Sequence, residues 1–291
     1  MAANRIANDD GAPSEGQDSF LDRVRDAIVH DEISLAYQPQ ADTHGGQLTG
    51  FESLARWRLP DGTVIPPDVF IPMAESSDAI HLLGSWLLQR ACETAAGWLK
   101  AGLPDLPIAV NVSGRQFDDP GFARTVLGIL IDTGLPAANL KLELTETALF
   151  THSVTAREML TELRGAGVRL VLDDFGTGYS SLALLRRVPV ESLKIDKSFV
   201  QAMVTDRDAA AIVHAVVELA HALGMTVIAE GVETTEQLHY LRAFRCDRIQ
   251  GYLLGRPMAA AEVPDFIAQL QRQPPESRIV PPRSVDRPTG Q

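Results

Sequence analysis

Val168–Leu182 reads VRLVLDDFGTGYSSL. Val168, Leu170, Val171 and Leu172 make a short apolar run of the kind carried by a strand buried on both faces, and it leads directly into two acids and a turn built on Gly176 and Gly178. Such a strand delivers carboxylates to a rim. On an extended backbone Asp173 and Asp174 point to opposite sides, so two metal ions, or a metal and a reactant, would each take one. Plain turn chemistry before a glycine is the alternative reading of the pair.

On both sides of this stretch the chain alternates short apolar strands with amphipathic helices. Strands are expected over Pro107–Val112, Leu140–Leu144, Val168–Leu172, Ser192–Ile195, Met225–Ala229 and Asp247–Tyr252. Helices are expected near Gly121–Asp132, Val154–Gly165, Ser180–Arg187, Arg207–Leu223, Thr235–Phe244 and Ala261–Gln271. This alternation means βα units and a parallel sheet. Upstream, Phe20, Val24, Ala27 and Ile28 recur at helical spacing behind Ser19. Ile33–Tyr37 and Leu48–Trp57 then read as a strand pair resembling a hairpin, and PDGTVIPPDVFIPMAE as a Pro-rich connection into a long helix near Asp78–Lys100. With the opening pair the strands number eight, which closes an α/β barrel of the (β/α)8 type; a doubly wound open sheet shares most of this pattern, but no GxGxxG follows the first strand. Residues 1–18 and 273–291 read as a disordered N-terminal arm and a Pro-rich disordered tail, leaving 19–272 for the barrel.

The net charge of −12, from 26 basic and 38 acidic residues, argues against a nucleic-acid polymer or an anionic membrane as partner. An anionic substrate would need local help from a metal or a few placed cations. Cys92 and Cys246 have no CxxC partner, which disfavours a disulfide framework or a zinc cluster and suits a reducing cytoplasm. Neither a signal peptide nor a membrane span of about 18 apolar residues is visible.

Nearly every strand ends in a residue that binds metals, phosphates or protons. In order these are Gln38, Glu52 with Arg56, Asn111, Glu143 with Glu146, Asp173 with Asp174, Lys194 with Asp196, Glu230 with Glu233, and Gln250. In a parallel barrel all of these ends meet on one face. Oxygen donors and one Asn, with no His or Cys, suit Mg²⁺ or Mn²⁺, and the mutual repulsion of so many carboxylates favours two ions over one. Lys194 reads either as an ion pair that offsets the acids or as a cation aimed at the attacking water and the developing phosphate charge. Arg56 reads as a surface residue or as a fork on a substrate phosphate. Glu146 and Glu233, one loop beyond their strands, read as residues that hold loops.

The segments GFESLARW (50–57), NVS (111–113), ELTE (143–146), DDFGTGYSSL (173–182), LKID (193–196), AEGVET (229–234) and QGYLLGRPM (250–258) resemble the EAL domain, a bacterial family of cyclic di-GMP-specific phosphodiesterases. The resemblance runs from about Phe20 to Gln271. It implies a modified (β/α)8 barrel with an antiparallel opening strand, and hydrolysis of cyclic di-GMP to linear pGpG with Mg²⁺ or Mn²⁺, Ca²⁺ inhibiting. Position by position it implies Glu52, Asn111, Glu143 and Asp173 on a first ion, and Asp173, Asp174 and Asp196 near a second. Lys194 would orient the water, Glu230 would complete the metal and water shell, Gln250 would support the site, and Gln38 and Arg56 would contact substrate. Glu146 would anchor the DDFGTG loop, which in the family couples dimerisation to activity, so a homodimer and regulatory protein partners are implied as well. One departure stands in the signature: Ser53 replaces the usual Ala on the face opposite Glu52, where activity should survive and a new hydrogen bond is the expected consequence. The alternative to an active enzyme is a receptor that binds the nucleotide and signals through protein contacts. A third reading, another Mg²⁺ barrel enzyme such as an enolising lyase, leaves Arg56 and the DDFGTG loop without a purpose.

Overall fold

A computed structural model describes residues 15–145, 154–176, 189–274 and 278–279. Its centre is a closed ring of eight strands, β1 (Ile33–Asp42), β2 (Leu48–Arg58), β4 (Ile108–Val112), β5 (Leu140–Thr145), β6 (Arg169–Phe175), β7 (Ser192–Ile195), β8 (Thr226–Ala229) and β9 (Arg248–Gln250). A two-residue strand, β3 (Val64–Ile65), hangs on the far end of β2. From β2 through β9 the ring strands run parallel; β1 is antiparallel to both neighbours, pairing β2 over Ile33–Ala41 and β9 over Gln40–Asp42. The eight-stranded α/β barrel with its reversed opening strand is therefore the fold.

The helices around the ring follow from apolar stripes at helical spacing. They are α1 (Glu15–Val29), α2 (Pro67–Glu75), α3 (Ala79–Lys100), α4 (Phe122–Thr133), α5 (Val154–Gly165), α6 (Lys197–Ala202), α7 (Arg207–Ala222), α8 (Thr235–Ala243) and α9 (Val263–Arg272). Side-chain caps fix several of them: Asp206 accepts from Asp208 N–H ahead of α7, and Thr234 with Gln237 forms a capping box on α8. Gly134, at φ 71°, ends α4 in the left-handed conformation. The strand residues Leu140, Leu142 and Leu144 face outward into the main core between ring and helices, so their neighbours Lys141 and Glu143 face the barrel axis. A second core joins α1, α2 and the start of α3 to the outside of the hairpin, around Val24, Trp57, Phe70 and Leu83. Each such large apolar side chain contributes about 1.5–3 kcal/mol by its burial.

Several boundaries differ from expectation. β1 runs on to Asp42 instead of stopping near Pro39, because Pro39 pairs only Phe51 and the ladder to β9 begins one residue later, so its missing N–H breaks no ladder bond. The Pro-rich connection contains α2, whose Pro67 occupies a first-turn position where no N–H is needed. α1 begins four residues before Ser19. In the Pro-rich tail Ile279 is buried, against the turn at Gly46. The helix expected over Ser180–Arg187 lies outside the described residues.

Candidate active site

The strand pleat assembles the site layer by layer. Glu143 on β5 pairs in register with Asn111 on β4, and Glu52 on β2 sits level with Ala109, one pleat below Asn111. Lys194 emerges from β7 between Leu193 and Ile195, which face the outer core. Its ammonium reaches the axis and lies 2.6 Å from Glu143 Oε2, 2.6 Å from Glu230 Oε1, 3.2 Å from Asp173 Oδ2 and 3.4 Å from Glu52 Oε2. Four carboxylates thus share one ammonium that is 1% exposed. Asn111 Nδ2 donates to Glu52 Oε1 at 2.7 Å, and Gln250 Nε2 donates to the other oxygen.

Asp173 and Asp174 do not point to opposite sides. The register slips between Leu172 and Phe175, and Asp174 takes φ 55°, so a bulge at the end of β6 replaces the extended backbone. Asp174 N–H donates to Asp173 Oδ1 at 2.8 Å. The result places one oxygen each of Asp173, Asp174 and Glu230 within 4.8 Å of one another.

The charges tell the same story. Burial, the charge of Glu52 and that of Asp173 hold the Glu143 carboxyl well above the usual range despite Lys194, and burial with Asp173 and Glu52 lifts Glu230 to about 8. Burial and Asp173 also raise Asp174. Glu52 goes the other way: burial opposes its ionisation, but the Lys194 charge and the amide donors of Gln250 and Asn111 outweigh it and lower the carboxyl. Lys194, which burial alone would neutralise, is held strongly protonated by the surrounding acids. Among the described residues the cluster is short of positive charge, and Glu143 Oε1 is buried and receives no hydrogen bond. Hard oxygen ligands in such excess over cationic side chains fit divalent cations.

Above this cluster opens a cleft of about 600 Å³, lined by Gln38, Glu52, Arg56, Asn111, Asp173, Lys194, Glu230, Glu233 and Gln250. Glu143 lies beneath it. Asp196 stands apart, capping α6 by accepting from Ser198 N–H at 2.9 Å, and touches the cluster through its charge, which helps to raise Asp174. Glu233 is exposed at the rim while its N–H donates to Gln237. Glu146 and the loop beyond Gly176 lie outside the described residues. Sequence reasoning missed Asp68 on α2, Lys197 and Gln201 on α6, and Tyr252, all of which line the cleft. Tyr252 carried a signal, since it follows Gln250–Gly251, and the Arg256 guanidinium stacks on its ring at 4.1 Å.

Residues 21–257 match the EAL domain. The chain belongs to the EAL domain family. Over 234 residues this EAL chain is 46% identical to an uncharacterised signalling protein of Caulobacter vibrioides, covering 80% of this chain and 28% of that protein. It is 39% identical over 252 residues to MucR of Pseudomonas aeruginosa, a bifunctional diguanylate cyclase/cyclic di-GMP phosphodiesterase, covering 87% of this chain and 37% of that one. The chain therefore spans well under half the length of these relatives. The solved PaMucR phosphodiesterase in complex with c-di-GMP superposes with a TM-score of 0.80 at 39% identity, covering 84% of this EAL chain and 99% of that one. A calcium/cyclic di-GMP complex of Klebsiella pneumoniae BlrP1 gives 0.68 at 31% identity, covering 78% and 56%. Ser53 Oγ donates to the Ala109 carbonyl at 2.8 Å, the new hydrogen bond expected of this residue, and so ties β2 to β4 behind Glu52.

Proposed function

We propose that this EAL barrel is a divalent-metal-dependent phosphodiesterase that hydrolyses one phosphodiester bond of cyclic di-GMP to linear 5′-pGpG in bacterial signalling. The observation that carries the reading is the four-carboxylate cage around Lys194 at the floor of an open cleft, with a buried oxygen on Glu143 that receives no hydrogen bond from the described residues. Glu52, Asn111, Glu143 and Asp173 would hold one ion, and Asp173, Asp174, Asp196 and Glu230 would serve a second; Mg²⁺ or Mn²⁺ supports turnover and Ca²⁺ permits binding while inhibiting it. Such ions supply Lewis-acid stabilisation of the entering and leaving oxygens.

The protein's own groups do the rest. Lys194 orients the attacking water and faces the charge that grows on phosphate. Glu230 lies 2.6 Å from that ammonium, where its carboxylate is placed to accept the proton that the water loses and to return it. The water oxygen bonds to phosphorus, the bond to the 3′ oxygen breaks, and the proton lost by water is matched by the one gained on the freed hydroxyl. Arg56 and Gln38 hold the substrate on the β1–β2 side of the cleft, Gln250 keeps Glu52 in place, and Glu233 and Glu146 hold the rim loops. The acting form is a cytoplasmic homodimer, which sedimentation with and without nucleotide tests. Glu52→Ala and Lys194→Ala, assayed on cyclic di-GMP with Mn²⁺, should remain folded and lose turnover; undiminished hydrolysis by both overturns the mechanism.

A further inference from the structure

Below the carboxylates the barrel holds a second polar layer that the reaction leaves unexplained. Lys141, two residues before Glu143 on β5, shares its inward face by the period of the strand and is 1% exposed. Its ammonium donates to Gln40 Oε1 at 3.3 Å. Gln40 Nε2 donates to Gln250 Oε1 at 2.9 Å, and Gln250 Nε2 in turn donates to Gln38 Oε1 at 3.1 Å and to Glu52 Oε2. All five side chains are buried.

The direction of this chain is fixed from both ends. An ammonium offers only donors, and an ionised carboxylate offers only acceptors. Between them each glutamine has one orientation that sets donor against acceptor throughout. Without the ammonium, Gln40 is free to turn its amide; Gln250 then loses the donor that holds its carbonyl away from Glu52, and a carbonyl facing a carboxylate repels it. A packing role does not account for the cation: the hydrogen-bond partner of Lys141 is an amide oxygen, not a carboxylate, and an apolar side chain of similar volume would fill the same space without the desolvation of a charge.

We propose that Lys141 is a positioning residue for the metal-binding carboxylate of Glu52, acting through the polarised Gln40–Gln250 amide pair. The inference rests on the reading of Glu52 as a metal ligand.

The test is calorimetric titration of the chelator-stripped full chain with Mn²⁺, alongside thermal melting. Lys141→Met should remain folded and bind Mn²⁺ about tenfold more weakly, the lower end of what outer-shell partners contribute. Lys141→Arg, again a pure donor, should restore affinity. Gln40→Leu should weaken binding as Lys141→Met does, and the double variant no further, because both cut the same chain. Unchanged affinity in Lys141→Met, or additive losses in the double variant, overturns the proposal. Should Lys141→Met fail to fold, Gln40→Leu alone decides it by the same criterion. Absence of Mn²⁺ binding by the wild type overturns the metal-ligand reading itself and the inference with it, a result distinct from binding that ignores Lys141.

Discussion

Raising the pH from 5 to 8 in the presence of a chelator should destabilise this protein, in the opposite sense to the acid denaturation of most proteins. The reason lies in the caged acids. Glu230 is held at about 8 against an ordinary 4.5, and Glu143 and Asp174 are raised too. Across this window the folded state binds more protons than the unfolded chain, so the stability these groups contribute is complete below pH 4.5 and is lost as the pH climbs through 8. At about 1.4 kcal/mol per unit, Glu230 alone removes roughly 3–4 kcal/mol between pH 5 and pH 8. Against a total of about 5–15 kcal/mol that loss is readily measured. Groups shifted the other way do not mask it: the lowered carboxyl of Glu52 acts below 4.5, and the Lys141 ammonium, pushed down to about 8 by burial and Arg248, acts above 8. Guanidinium unfolding at half-unit pH steps reads the effect. Saturating Mn²⁺ should abolish the slope, because bound cations keep the same acids ionised. A flat profile with chelator, or equal slopes with and without Mn²⁺, refutes the reasoning.

Lys194→Met leaves four carboxylates around an apolar stem; in chelator at pH 8 it should cost about 3–5 kcal/mol, measured by the same unfolding curves, with much of the loss recovered at pH 5 as the acids take up protons. Ser53→Ala removes the bond to Ala109 and should lower stability by about 1 kcal/mol while kcat stays within about twofold of wild type. Gly251→Ala would place a Cβ 2.2 Å from the Val232 carbonyl oxygen at φ 156°, next to Gln250; thermal melting should show a loss of at least about 3 kcal/mol.

The barrel was legible because its strands are apolar runs that end in polar residues, a pattern that survives without any knowledge of packing. Ser192–Ile195 and Val154–Gly165 are recovered to the residue. Proline misled the reading twice, at Pro39 and at Pro67: whether a missing N–H matters depends on which side of a strand or helix end it would have faced, and that is a tertiary fact. α6 has no sequence signal, because six residues carry little periodicity and its cap, Asp196, reads equally as a ligand at a strand end. The bulge at Asp174 has no sequence signature beyond an acid tolerant of positive φ, yet it turns two diverging carboxylates into converging ones. Lys141 could have been found: strand period alone puts it on the face of Glu143. What sequence could not supply is its partner, since Gln40 lies 101 residues away.

The central claim is hydrolysis of cyclic di-GMP by a metal-loaded carboxylate cage. Its most direct test is product analysis: purified protein with cyclic di-GMP and Mg²⁺ or Mn²⁺, followed by chromatography against linear pGpG. Accumulating pGpG that stops when a chelator is added is the predicted result. Intact cyclic di-GMP that co-elutes with the protein, at any concentration of either ion, would contradict it and make the chain a nucleotide receptor.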